Sequence, residues 1–147
     1  MIIKKILVAV DGSTPSVNAS NYAIDLANIH GAELIAIYVV SPNIPYSPLE
    51  DAQVGRFREI VDMETKDGEQ KIESVRKKAF EMKVRFESDV ITSTKLVAET
   101  IVEYSNEKKA DLVVVGSRGM TGIKKLFLGS VATSVVSHSR CPVLVVK

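Results

Sequence analysis

The chain has 147 residues, 46% hydrophobic and 25% charged, enough for one core and too few for two. Nineteen Lys and Arg against eighteen Asp and Glu leave a net charge of +1, without the basic excess that marks nucleic-acid binders. A lone cysteine, Cys141, excludes an internal disulfide and points to a reducing compartment.

In chain order, the opening MIIKKILVAVDGS is apolar around two lysines and turns polar at Asp11. It is too short to span a bilayer and lacks a signal-peptide cleavage pattern. It reads as a first strand, in a cytoplasmic protein that engages neither membrane nor nucleic acid. Thr14-Pro15 supplies a cap and a first-turn proline, and Gly31 stops the helix after His30. Val17, Ala19, Ala23, Ile24 and Ala27 form its apolar stripe. The run Leu34 to Val40 is a second strand. The segment Ser41 to Gly55, with Pro42, Pro45 and Pro48, is a loop that either covers a ligand or meets a partner.

A long helix is expected from about Arg56 to Met82. Phe57, Val61, Ile72, Val75, Ala79 and Met82 share one face, and Gly68 interrupts it. Val84 to Ile91 alternates as an edge strand does. A helix from Lys95 to Glu107 buries Leu96, Val97, Ile101, Val102 and Tyr104. Leu112 to Val115 and Val143 to Val146 are further strands, and a last helix begins near Ser130 and ends before Pro142. The strand runs are almost continuously apolar, as strands covered on both faces are. Strands alternating with helices imply right-handed crossovers and a doubly wound parallel α/β sheet, with residues 1–147 as one domain.

Ligands of such sheets bind beyond the carboxyl ends of the strands, where strand order reverses. The first strand ends in Asp11-Gly12-Ser13. The fourth ends in Gly116-Ser117-Arg118-Gly119, and the stretch to Ser130 holds Gly116, Gly119, Gly122 and Gly129, half of the eight glycines. Either the backbone there takes dihedrals that side chains forbid, or something approaches it closely. Two readings share the stretch. In one, backbone N–H groups and a helix N-terminus cradle phosphates, with Ser130 adding a hydroxyl and Arg118, Lys124 or Lys125 adding charge. In the other, it is a glycine-rich turn with Ser130 as a plain N-cap.

Gly116-x2-Gly119-x9-Gly129-Ser130, with KKILVAVDGS at the start, ADLVVVGSRGMTGIKKLFLGSVATSVV in the fourth block and CPVLVVK at the end, resembles the ATP-binding type of the universal stress protein family. The resemblance runs the length of the chain. It implies a five-stranded parallel sheet in the order 3-2-1-4-5, helices on both faces, in the adenine nucleotide alpha hydrolase-like arrangement. It further implies that Asp11 faces the adenosine moiety, Ala9 lines its pocket and the Val39 backbone meets the adenine edge. Gly116 would lie against the ribose, Ser117, Arg118 and Gly119 would meet ribose or phosphates, and Gly129, Ser130 and Val131 would hold the triphosphate. The implied ligand is ATP, or AMP or ADP, accompanied by Mg2+ or Mn2+, and the implied partner is a second copy through Val143–Val146.

The sequence departs from that pattern where Ala132 replaces a hydroxyl residue, and Thr133 points about 100° around the helix. Ile91-Thr92-Ser93-Thr94 also replaces a glycine-containing turn. Both departures point to weaker affinity or to fewer phosphates.

Other residues support plainer readings. Asp11 has a structural alternative as a helix cap or a partner for Ser13. His30 and His138 sit at helix ends, where interaction with the helix dipole is the default. Cys141 is a packing residue ahead of Pro142. No zinc-ligand spacing appears, and neither the P-loop nor the dinucleotide glycine pattern is present. The mixed charges from Lys66 to Lys78 read as a solvated helix face. Three functions follow as expectations: a regulatory nucleotide binder in the stress response, a slow ATPase or phosphotransferase, and a nucleotide-free interaction scaffold. No dedicated base for hydrolysis stands near the expected phosphate end.

Overall fold

The computed structural model describes residues 1–42, 51–119 and 127–147, without the side chains of 51–53. Five strands, β1 (Lys5–Ala9), β2 (Glu33–Val40), β3 (Phe86–Thr92), β4 (Leu112–Gly116) and β5 (Val143–Val146), alternate with four helices, α1 (Thr14–His30), α2 (Asp51–Glu81), α3 (Val97–Lys108) and α4 (Ser130–His138). The strands form one parallel sheet in the order β3-β2-β1-β4-β5. Strand order therefore reverses between β1 and β4, which pair Ile6 with Leu112 and Val8 with Val114.

Helices cover both faces, and the apolar runs divide between them residue by residue. Ile6, Val8, Leu34, Ala36 and Val114 pack with α1 and α2 through Ala19, Ala23, Ala27, Val75 and Ala79. Leu7, Ile35, Ile37, Val113 and Val115 pack with α3 and α4 through Ala98, Ile101, Ala132 and Val135. A strand with apolar neighbours on both sides has no polar alternation to show. The edge strand β3 is only half-buried over most of its length, without a strict in–out alternation.

Several element ends differ from the sequence reading. The N-cap of α1 is Ser13, whose hydroxyl accepts from Ser16 N at 3.3 Å, so Thr14 is the first helical residue. Val17 leaves the α1 stripe and is 45% exposed. α3 begins at Val97 and runs one residue past Glu107, with Leu96 as its N-cap and exposed rather than buried. Ser93 accepts from Lys95 N at 3.1 Å and from the Thr100 hydroxyl at 2.9 Å, so hydroxyls close the turn that lacks a glycine.

α2 runs unbroken through Gly68 from Asp51, five residues ahead of the expected start. A Cβ at Gly68 would lie 2.4 Å from Cδ1 of the Tyr38 ring, so glycine there lets the helix lie on β2 rather than interrupting it. Ile72, Val75 and Ala79 are buried as expected, whereas Phe57 and Met82 are exposed. Of the expected Ser41–Gly55 loop, residues 51–55 belong to α2 instead, and residues 43–50, like Lys124 and Lys125, lie outside the described residues. Among the described residues no helix is long and apolar enough to cross a membrane.

Candidate functional site

The β1–α1 turn is built around Asp11. Its Oδ1 accepts from Ser13 N at 2.8 Å, and its own N–H donates to Ser16 Oγ at 2.9 Å. The structural role weighed for Asp11, partner to Ser13, is therefore real, and it occupies one carboxylate oxygen. Oδ2 faces Gly119, where an added Cβ would stand 3.2 Å away. The Ser13 hydroxyl donates to the Arg118 carbonyl at 3.3 Å, tying the turn after β1 to the segment after β4.

Gly116 has a different job from contact with a ligand alone. A Cβ there would meet the Pro15 carbonyl carbon and Ser16 N at 2.9 Å. Its missing side chain lets the first turn of α1 seat against the end of β4, which positions Asp11.

α4 opens without a side-chain cap. Its N-cap is Gly129, in extended conformation, and Ser130 is the first helical residue rather than the cap. Gly129 N donates to Ser117 O at 2.7 Å, which pins the helix start to the end of β4. The first helical bond is Thr133 N to Gly129 O, at 2.9 Å. The N–H groups of Ser130, Val131 and Ala132 thus precede the helical ladder and carry the positive end of the helix dipole.

These pieces surround a cavity of about 720 Å³ at the carboxyl ends of β1, β2 and β4. That volume lies in the range of small-molecule sites. Ala9, Asp11, Val39, Gly116, Arg118, Gly119, Gly129, Ser130 and Val131 all line it. Ser117 is not among the lining residues. It is buried, its N–H donates to Val146 O at 2.6 Å, and its carbonyl holds Gly129, so its role is to join β4, β5 and α4. Ala132 lines the cavity and is buried in the α3–α4 core. Ile37, Val97, Ile101 and Val115 make one side apolar, opposite the polar end at α4.

One wall was missed in the sequence. Glu64, Asp67 and Lys71 of α2, with Tyr38 of β2, also line the cavity. Lys71 Nζ pairs with Asp67 Oδ2 at 2.5 Å and stands 5.3 Å from the Tyr38 ring centroid. Its stem crosses Gly12, where φ is +82° and a Cβ would collide with Lys71 Cε at 2.4 Å. Burial alone would lower the Lys71 pKa, but the hydrogen bond to Asp67 and the charges of Tyr38, Asp67 and Asp11 leave it raised. Burial pushes the Tyr38 hydroxyl upward. Lys71 opposes that shift, and Asp67 and Glu64 add to it. A signal was present: the apolar row of α2 skips from Val61 to Ile72, and Glu64 and Gly68 fill the gap at helical spacing.

Among the described residues no cluster of three His, Cys, Asp or Glu side chains could hold a metal ion. His30 adjoins the left-handed Gly31 cap, and His138 bonds the Ser134 carbonyl at 2.8 Å, so both are helix-end residues.

The chain is similar to known proteins over almost its whole length. The family model for the universal stress protein family matches residues 3–147. Universal stress protein MJ0531 of Methanocaldococcus jannaschii is 38% identical, over 99% of this chain and 83% of that protein. The solved structure of universal stress protein UspA from Lactobacillus plantarum superposes with a TM-score of 0.91 at 25% identity, covering 100% of this chain and 99% of that one. An Arabidopsis thaliana universal stress protein family protein solved with AMP bound has the same fold, with a TM-score of 0.67 at 22% identity over 98% of this chain and 91% of that one. The chain with this sheet order and this crevice belongs to the universal stress protein family.

Proposed function

We propose that the chain binds an adenine nucleotide, ATP in the first instance, in the cavity between β1, β4, α2 and α4. The carrying observation is the uncapped start of α4: three N–H groups at a helix N-terminus open on a cavity lined by glycines. Such an end attracts anionic oxygens. The phosphates would lie at Gly119, Gly129, Ser130 and Val131, and the base would lie in the apolar part between Ala9, Val39 and Ile101. AMP bound to a protein of this fold is in keeping with that placement. Ser117 would act only through the backbone it fixes.

Asp11 Oδ2 is the carboxylate oxygen left for the ribose or for a divalent cation held chiefly by phosphate oxygens. Among the described residues the phosphate end carries glycine, serine and apolar side chains together with Arg118. These position phosphates and do not activate water, so occupancy rather than turnover would be the output, as in a stress-response regulator in the cytoplasm. The buried Ala132 supplies a backbone N–H and no hydroxyl, which lowers the expected affinity for the triphosphate.

The same reading includes a homodimer through β5. Pro142 O accepts from Val113 N of β4 and Val146 O from Ser117 N just after it, so the alternate residues Val143 and Val145 turn their backbone groups to the free edge. An apolar edge of this sort invites pairing.

The direct test is the ligand content of freshly purified protein, released by acid and identified by mass, with calorimetric titration of ATP and AMP. Protein that carries no adenine nucleotide and binds none at millimolar concentration contradicts the proposal.

A further inference from the structure

The inward row of α2 changes chemistry along its length. Ile72, Val75 and Ala79 are buried in the core, and Val61 is half-buried. Between them, at the level of the cavity, the row carries Glu64, Asp67 and Lys71, spaced three and four residues apart on one helix face. The charges are also ordered. Lys71 is committed to Asp67 and lies over Tyr38, toward the Asp11 turn. Glu64 lies two turns away from it along the row. The uncapped start of α4 and Arg118 present positive charge to the same cavity from the β4 side.

We infer that the Glu64–Asp67 carboxylates are specificity-determining residues that reject a ligand carrying a second anionic group away from its 5′-phosphate end, and so select a nucleotide with free ribose hydroxyls. The inference rests on the nucleotide reading above and deepens it. Carboxylates accept hydrogen bonds from hydroxyl or amino groups and repel phosphate. Glu64 and Asp67 against Lys71 leave the α2 wall with a net charge of −1, facing positive charge at α4, so a molecule with one anionic end has one preferred orientation. A molecule with anions at both ends has none that satisfies both walls. Lys71 holds Asp67 in place and is a positioning residue.

The test is displacement of a fluorescent ATP from the full chain by AMP and by adenosine 3′,5′-bisphosphate, which differ by one phosphate. It is run on wild type, Glu64→Gln and Asp67→Asn. Wild type should prefer AMP by at least about tenfold. Each substitution should narrow that ratio by about threefold or more through tighter binding of the bisphosphate, a gain that loss of structure would not produce. Glu64→Gln spares the Asp67–Lys71–Tyr38 contacts, so it keeps the test valid where Asp67→Asn unfolds the wall. Equal displacement by the two ligands in wild type, or a ratio unmoved by the substitutions, overturns the assignment. A wild-type chain that binds no fluorescent ATP would instead remove the nucleotide reading on which it rests.

Discussion

Asp11 and Ser13 interact across two residues, and local contacts of that kind are readable in sequence because an Asp side chain reaches its own backbone two positions on. Gly68 shows the opposite case. Its neighbour is Tyr38, thirty residues earlier, and nothing near Gly68 in the chain announces that ring. Gly68→Ala sets two effects against each other. Alanine favours the helix by up to about 1 kcal/mol, while overpacking a filled site costs about 1–3 kcal/mol. The ring is confined by Lys71 above it, so the clash should win, with a net loss of about 1 kcal/mol in urea unfolding. A stabilised variant would contradict that contact. Gly116→Ala meets backbone instead of a side chain, so its cost should be larger, about 2–3 kcal/mol, and nucleotide affinity should fall with it because the α1 start carries Asp11.

Among the elements, the four strands with near-continuous apolar runs were legible because cover on both faces leaves no other place for such runs. Helix starts were less so. Ser13 and Thr14 are both hydroxyl residues, and the grip of Asp11 on Ser13 N decides between them. The start of α2 lies beside the proline-rich loop, whose composition masked it. The charged run from Lys66 to Lys78 is mostly exposed, as read, and only Asp67 and Lys71 within it also border the cavity. At β5 the free edge gives a clean prediction. Val145→Pro removes an N–H that points away from β4, so the sheet should hold while pairing between copies is lost. Light scattering should report twice the 16.0 kDa chain mass for wild type and the single mass for the variant. A wild-type monomer at micromolar concentration, or a variant that stays paired, contradicts β5 as the contact.

For the molecule as a whole, sheet order fixes where a site can be. The reversal between β1 and β4 brings residues a hundred positions apart to one crevice, and the glycine spacing after β4 marked that crevice in the sequence. Its third wall came from a helix joined to the other half of the sheet, which no spacing within one segment can reveal. A ligand that binds only the folded chain stabilises it, by about 2.7 kcal/mol at a hundred times Kd. The melting temperature should then rise by about 9 °C with ATP at that excess, read by calorimetry. An unchanged melting temperature at that concentration would place the nucleotide elsewhere or nowhere.

The most direct measurement is calorimetric titration of ATP into Ser130→Pro beside wild type. Proline suits the first helical position, and the extended Gly129 before it suits proline, so thermal stability without ligand should be unchanged. The substitution removes one of the three open N–H groups and the Ser130 hydroxyl together, and ATP affinity should fall by at least about tenfold. If the variant matches wild type in both stability and affinity, the start of α4 does not hold the phosphates.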